Sequence, residues 1–297
     1  MRNVKIITDS CADLNADQLN KYDIDFARMT TSLDGVESVA SLLWTEVEAH
    51  EHYNKMRNGK RIITAQASVE ELQRIFDKYL KQGMDVVYIG CSSKQSGSVN
   101  TGYIVAQKLM AEYENCTIVC IDSLNASMGE GMLAIEASKM AKNGASAKEI
   151  EEHILSIRKR VNQYVTVHSL DALRRAGRVK GPTAFFGNLM GVKPIIIADA
   201  NGEQAAYKKV KGRQKSFEEI VALLKATIIE PENQTIYLTH ADCETEEIDA
   251  LVNLIKKEIP CRGIEVGLIG PIIGASIGPD AVGIWGFGEE VTYKIGE

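Results

Sequence analysis

No hydrophobic stretch in this chain reads as a membrane span. The nearest, Ile264 to Gly288, carries Glu265 and Asp280 and is interrupted by Pro271 and Pro279, whereas a spanning helix needs about 20 mostly apolar residues. The six cysteines, Cys11, Cys91, Cys116, Cys120, Cys243 and Cys261, form no C-x-x-C pair. No His, Cys or carboxylate cluster has the spacing of a zinc site. With no signal peptide in view, the cysteines read as reduced thiols and the chain as cytoplasmic. G-x-x-x-x-G-K-[ST] is missing, which argues against a P-loop ATPase, and G-x-S-x-G is missing, which removes the lipase-type nucleophile elbow. There is no low-complexity tract and no tandem repeat of 20–50 residues. Excess positive charge is lacking too. The formal net charge of −6 argues against a general surface for nucleic acid or anionic membrane.

What is present is 297 residues with 45% apolar and 25% charged content, enough for two domains with a core each. The first half alternates strand and helix. Val4 to Ser10 reads as a strand ending in polar residues. Asn15 with Gln18 resembles a capping box, and Leu14 with Leu19 its hydrophobic staple. Residues 24 to 44 give little pattern beyond a strand near Phe26 to Met29. Trp44 to Asn58 reads as a helix, and Ser68 with Glu71 opens another whose apolar face runs from Val69 to Leu80. Asp85 to Gly90 is a buried strand, followed by the hydroxyl-rich loop Cys91 to Ser98 and a helix carrying Val105, Leu109 and Met110. Thr117 to Ile121 is a strand running into Asp122-Ser123. Ser146 with Glu149 caps a further helix. This alternation predicts a doubly wound α/β layer with a parallel sheet. Three strands end in polar residues, at Thr8-Asp9-Ser10, Cys91-Ser92-Ser93 and Asp122-Ser123, and ligands of such sheets bind beyond the carboxyl ends of the strands.

The second half changes character. Val165 to His168, Pro194 to Ala198, Ala205 to Val210, Thr235 to Thr239, Ile264 to Leu268 and Ala281 to Gly286 read as strands. Asp199 to Gly202 is a hairpin turn. Ser216 with Glu219 reads as the cap of one helix, and Ile248 to Ile259 as another. A hairpin among helices predicts an α+β domain with a mixed sheet. The expected domains are residues 1–163 and 164–297.

Several motifs point toward function. The strand, small-residue loop and helix start around Gly90 to Ser98 offer free backbone N–H groups, a positive dipole end and the hydroxyls of Ser92, Ser93, Ser96 and Ser98. Such a place suits a carboxylate or phosphate, or the loop simply caps its own helix. Gly129-Glu130-Gly131-Met132-Leu133-Ala134 fits G-x-G-x-x-A but does not follow its strand directly, so a plain helix start competes with dinucleotide binding. His50 and His52 sit two apart on a helix and point to different sides, which favours a solvated face over a metal. Ser93, His240 and Asp122 could form a hydrolytic triad in space. Arg174, Arg175, Arg178 and Lys180 form one basic cluster, and Lys208, Lys209, Lys211, Arg213 and Lys215 another. In an acidic protein these are solvated faces or docking sites for an acidic partner or phosphorylated ligand.

Taken in order, the motifs resemble one family. Ile7-Thr8-Asp9-Ser10-Cys11-Ala12-Asp13-Leu14 is similar to the I-T-D-S-x-A-D-L opening of DegV proteins. Thr64-Ala65-Gln66-Ala67-Ser68 resembles their T-S-Q-P-S, and Ser92-Ser93-Lys94-Gln95-Ser96-Gly97-Ser98 their S-S-x-L-S-G-T. Asp122-Ser123 with Ser127, Gly129 and Gly131 matches D-S-x-x-x-S-x-G-x-G. Leu173 to Val179, Gly191 to Ile195 and Ile269 to Gly274 complete the set. The resemblance implies two α/β domains holding one long-chain fatty acid between them and presenting it to a fatty-acid kinase. It implies a binding protein and not an enzyme, with no cofactor; the charge and hydropathy above add the expectation of no nucleic-acid partner and no stable membrane insertion. By carry-over, Thr64 and Ser93 would hydrogen-bond the carboxylate, with Ser92 and backbone N–H groups nearby, and Arg178 and Arg213 would meet the kinase. Three departures stand out. Ser276 replaces the family's His before G-P-G, Asp280 replaces its last Gly, and Ala65 and Ala67 replace a Ser and a Pro. Ser276 can still donate one hydrogen bond to the head group but cannot carry positive charge.

A fatty-acid site needs a dry slot for the tail and donors that replace water at the carboxylate. The expected slot lining comes from the second half: Phe185, Phe186, Leu189, Met190, Ile195, Leu268, Ile272 and Ile273, unless these are simply core. The alternative function is a serine-dependent hydrolase or phosphate-ester enzyme using the Ser92/Ser93 loop.

Overall fold

The structure is a computed structural model that describes residues 2–181 and 191–296. A four-stranded parallel sheet runs in the order β2-β1-β6-β7, built from β1 (Val4–Asp9), β2 (Ile24–Ala27), β6 (Asp85–Gly90) and β7 (Ile118–Asp122). Its strands are nearly all buried, as a parallel sheet covered on both faces requires. The helices α1 (Ala16–Tyr22), α3 (Val69–Leu80), α4 (Ser98–Glu112), α5 (Met128–Lys142) and α6 (Ala147–Ile157) accompany it. Asn15 and Ser146 form full capping boxes with Gln18 and Glu149. Ser68 caps α3 through the Glu71 N–H, but the Glu71 carboxylate turns to Arg28 and Arg74 instead of reaching back.

The unreadable region after Phe26 is a second, small sheet. β3 (Met29–Leu33) pairs antiparallel with β4 (Val36–Ala40) and β5 (Ile62–Ala65). It gives little sequence signal because β4 is exposed over its first four residues, so no buried face imposes alternation. The helix α2 (Glu46–Arg57) connects β4 to β5.

The second half is a six-stranded mixed sheet in the order β10-β9-β8-β13-β11-β12, formed by β8 (Val161–Thr166), β9 (Val192–Ala198), β10 (Gln204–Lys211), β11 (Thr235–His240), β12 (Gly263–Leu268) and β13 (Val282–Phe287). Only β11 and β12 are parallel neighbours. The expected division of the chain at 163/164 falls inside β8, whose first residues already pair with Phe287 and Gly286 of β13. One face carries α8 (Arg213–Thr227) and α9 (Thr245–Glu258) over a core that includes Phe217, Leu224, Leu238 and Leu251. Here α8 starts earlier than its serine suggested. Gly212 is the N-cap, and Ser216 lies within the first turn, returning its hydroxyl to the Arg213 carbonyl.

The other face looks toward the parallel sheet. A single apolar cluster runs from Ile6, Phe26 and Tyr53 through Met132 and Leu133 to Tyr237, Ile277 and Trp285. Two short helices complete this junction, α7 (Asp171–Ala176) and α10 (Pro271–Ile277). Tyr53 donates its hydroxyl to the Ile269 carbonyl across the junction at 2.7 Å. Beside it Arg57 of α2 reaches Asp242 and Asp280, at 2.6 and 2.5 Å, and His50 meets Asp242 at 3.0 Å. The His50/His52 pair therefore splits as helical spacing predicts: His50 faces the second half, while His52 packs against Trp44 and burial lowers its pKa to about 4. Asp280, which stands where the resemblance expects glycine, adopts φ +61°, a left-handed conformation that Asp tolerates better than most residues.

Candidate functional site

The polar ends of the parallel strands turn out to be structural clasps. Asp9 is fully buried; its Oδ1 accepts the Cys11 N–H, and its Oδ2 accepts the Tyr88 hydroxyl and the Cys91 N–H. It thereby ties the end of β1 to the end of β6. Asp122 Oδ1 accepts the N–H groups of Ser93 and Leu124. Glu130 of α5 takes the Thr8 hydroxyl on Oε1. Burial, then the nearby Asp9 charge, pushes the Glu130 carboxyl well above the usual range. The G-x-G at 129–131 has a packing cause: a Cβ on Gly131 would lie 2.6 Å from the Ala12 carbonyl oxygen, so α5 can approach the loop after β1 only with glycine there.

Beyond these strand ends, between the two large sheets, lies a cavity of about 870 Å³ including its open mouth. One wall comes from the first half, with Cys11, Met29, Cys91, Ala126 and Ser127. The facing wall is the six-stranded sheet, with Val165, Ile196 and Trp285. The helix α10 and the segment before it add Ile269, Ile272, Ile273 and Ile277. At one end stand Thr64 of β5, Ser96 and Gly97 at the start of α4, Ser276 of α10, and Arg178.

The chemistry of that end is donor-rich. Gly97 caps α4 without a side-chain bond, and no acid sits in the first turn. Among the described residues, the N–H groups of Gly97, Val99 and Asn100 have no acceptor, as the start of a 15-residue helix leaves them. The Ser96 hydroxyl exchanges a 2.9 Å hydrogen bond with Ser98 and also accepts the Ser98 N–H. Arg178 crosses from the second half to donate its Nε–H to the Gln95 carbonyl at 3.2 Å. A groove continues outward from Thr64, Ser276 and Arg178, and the charged residues lining it are all cations: Lys60, Arg61, Arg175 and Arg178.

The expected site residues sort as follows. Thr64, Ser276 and Arg178 meet at the cavity mouth, and Ile272 and Ile273 line its wall. Ser92 is buried and donates its hydroxyl to the Gly202 carbonyl at 2.8 Å. Ser93 is half-buried and does not line the cavity; Ser96, three residues on, does. Ile195 packs under α8 on the opposite face of β9, because neighbouring strand residues alternate, and it is Ile196 that faces the cavity. Leu268 borders a separate surface depression with Asp13 and Trp44. Arg213 pairs with Glu247 at 3.0 Å and stacks on Phe217, with only 15% of its side chain exposed. Phe185, Phe186, Leu189 and Met190 lie outside the described residues. The triad does not assemble: His240 Nδ1 accepts the Cys243 N–H at 3.2 Å, and Asp122 receives the backbone N–H of Ser93, not its hydroxyl.

Residues that sequence reading passed over also face the cavity. Cys11 and Cys91, scattered along the chain, come together with Glu130, their ligand-type atoms all within 4.8 Å of one another. The hydrogen bond to Cys91, then burial, pushes the Cys11 thiol well above its usual range. Gln163 and Gln204 lie on the six-stranded sheet. Their only sequence signal is a polar residue inside a strand.

Comparison with known proteins agrees with this architecture. A family described as an uncharacterised protein family, DegV, matches residues 3–288. A DegV domain-containing protein of Clostridium perfringens is 31% identical over 289 residues, covering 97% of this chain and 99% of that one. A solved structure from Thermotoga maritima described as a DegV lipid-binding protein superposes with a TM-score of 0.84 at 27% identity, over 98% of this chain and 100% of its own. A second Thermotoga maritima structure, described as revealing a fatty-acid-binding function, gives 0.81 at 25% identity over 96% and 99%. Among the described residues no helix is long and apolar enough to cross a membrane. On the extent of these matches and the shared arrangement of its sheets, the chain belongs to the DegV family.

Proposed function

We propose that the chain binds one long-chain fatty acid, with its tail in the cavity between the two large sheets and its carboxylate at the Thr64–Ser96–Ser276 end. The observation that carries this reading is the polarity of the cavity: apolar walls from Ile196, Ile272 and Ile273, and at one end hydroxyls facing the open N-terminus of α4. The description of the two Thermotoga relatives as lipid- and fatty-acid-binding supports it. A carboxylate there would trade water for neutral O–H and N–H donors, each charge-assisted bond worth about 1.5–3 kcal/mol. On this reading the ligand lies between the two halves, divided near the start of β8. The cationic groove beside the mouth, in a chain of net charge −6, suits docking of an acidic partner surface, and a fatty-acid kinase is the partner we assign to it.

Mass spectrometry of the denatured protein tests the central claim; a stoichiometric acyl chain is expected. Titration of delipidated Trp44→Phe protein with oleate should change the fluorescence of Trp285, the remaining tryptophan, which lines the cavity. Absence of both retained lipid and a saturable response would refute the reading. For the docking surface, Arg175→Glu, at a residue that lines the groove and not the cavity, should abolish stimulation of a fatty-acid kinase while lipid is retained; unchanged stimulation would remove this rim from the interface.

A further inference from the structure

The buried carboxyl groups at the strand ends have no buried cation to meet them. Asp9 and Glu130 are fully buried, whereas the only buried cation among the described residues, Lys5, is paired with Asp23 Oδ1 at 2.5 Å. Buried charges in proteins are paired or coordinate metals. Both hydrogen bonds to Glu130, from the Thr8 hydroxyl at 2.6 Å and the Asp9 N–H at 3.4 Å, fall on Oε1, and Oε2 is buried without a partner. An oxygen of this carboxyl lies within 4.8 Å of Cys11 Sγ and of Cys91 Sγ, and the two sulfurs lie within the same distance of each other. Met29 adds a thioether 3.5 Å from Cys11 Sγ. A proton on Oε2 would remove the charge but would itself need an acceptor, and a thiol sulfur is a weak one.

We propose that Cys11, Cys91 and Glu130 bind one thiophilic divalent cation of the Zn²⁺ class in the first-half wall of the cavity. The fold sets these groups in advance. One carboxylate, Asp9, takes the Cys11 N–H on Oδ1 at 2.9 Å and the Cys91 N–H on Oδ2 at 3.2 Å, and so fixes both cysteine backbones. The bonds on Oε1 hold the Glu130 carboxyl and leave Oε2 for a metal, the part that outer partners play for metal ligands. Two thiolates and a carboxylate are a zinc-type donor set. Bonds of about 2.3 Å to sulfur and about 2.0–2.2 Å to oxygen are within reach of small side-chain shifts from atoms this close. Mg²⁺ and Ca²⁺, which take oxygen ligands, do not suit it. Cys11, Cys91 and Met29 line the cavity, which gives the ion a way in. Thiol and carboxyl protons leave to solvent as the ion binds; in the metal-free protein Glu130 keeps its proton, because burial pushes its carboxyl well above the usual range. The ion would join the loop after β1, the end of β6 and α5. All its donors belong to the first half, so the site stands or falls separately from the fatty-acid reading.

The test is titration of the reduced, chelator-stripped, delipidated full chain with Zn²⁺ by calorimetry and with Cd²⁺ by the ultraviolet thiolate-to-metal band. Wild type is compared with Cys11→Ala, Cys91→Ala and Glu130→Gln, so that any metal on the other four cysteines is common to all. Wild type should take up one equivalent that each cysteine variant lacks, and excess Mg²⁺ should not displace it. Each cysteine substitution should weaken that equivalent by more than the roughly 10- to 100-fold that losing an outer partner costs, and should remove most of the band. Glu130→Gln should weaken Zn²⁺ and keep the thiolate band. No saturable uptake by wild type overturns the proposal, and so does uptake that survives both cysteine substitutions, as an adventitious ion would. Should Glu130→Gln fail to fold, the two cysteine variants, each a small change, decide.

Discussion

Replacing Thr64 by Val isolates the head-group claim. Thr64 sits on β5 opposite Thr31 and is half-buried at the cavity mouth. Among the described residues its hydroxyl has no hydrogen-bond partner, so its loss should cost the free protein less than about 0.5 kcal/mol. With a carboxylate bound, the same hydroxyl would make one charge-assisted bond of about 1.5–3 kcal/mol. The expected effect is therefore a roughly 10- to 150-fold rise in Kd for oleate with an unchanged Tm of the delipidated protein. Isothermal titration or displacement of a fluorescent fatty acid reads the first, and calorimetry the second. The pair Ser96→Ala and Ser93→Ala then asks which loop hydroxyl shares the carboxylate. Ser96 lines the cavity and Ser93 does not, so Ser96→Ala should weaken binding more. A Thr64→Val protein that binds within twofold of wild type would refute the placement of the head group.

Two further perturbations follow from the junction. Asp13 is 4% exposed and accepts from Ser127 Oγ and the Gly270 N–H, yet burial pushes its carboxyl up to about 7. The folded state thus holds a proton that the unfolded chain releases near its ordinary value of 3.8. Stability should fall as pH rises from about 4 to 7 and level off above that. Asp13→Asn should flatten that slope in urea midpoints taken at pH 5 and 8. Some slope will remain, because Asp9 and Glu130 are raised in the same direction by burial; an unchanged slope would clear Asp13. At Asp280, Ala should destabilise more than Gly by about 1 kcal/mol. Both lose the partly exposed bridge to Arg57, worth about 1 kcal/mol at most, but only Ala keeps the strained positive φ. Equal Tm values for the two variants would contradict this.

The parts of the fold that sequence reveals are those where one constraint acts alone. The buried strand Asp85–Gly90 and the capping boxes at Asn15 and Ser146 are local and show plainly. The strands β3 to β5 are illegible because β4 is exposed over Val36–Val39 and β5 buries only Ile62. The site divides along the same line. Motif order points to Thr64 and the serine loop, but that Ser96 and not Ser93, or Ile196 and not Ile195, lines the cavity depends on the direction of a side chain. A one-residue error in a strand reverses that direction. The meeting of Cys11 with Cys91, and of Gln163 with Gln204, depends on pairings across 80 and 41 positions. No local pattern encodes these.

The composition of the cavity mouth bears on why a carrier would be built this way. A C16–C18 tail buried at about 0.8 kcal/mol per methylene supplies roughly 12 kcal/mol before the costs of association. Affinity therefore does not require a charged partner for the carboxylate. An arginine buried against it would add binding and also hold the head group in place, because breaking a buried pair strands a charge. Here Lys60, Arg61 and Arg175 line the groove outside; Arg178 is the one cation among the residues lining the cavity, stands at its mouth and donates its Nε–H to the Gln95 carbonyl, and the other groups at that end are neutral hydroxyls and backbone N–H. On the proposed reading that division leaves the carboxylate reactive toward an incoming phosphoryl group, while the rim positions the partner that brings it. Moving one positive charge inward, as in Ser276→Lys, should then tighten fatty-acid binding and slow any transfer from the head group. Tighter binding with undiminished transfer would show that the lack of a lysine beside Ser276 has no bearing on release.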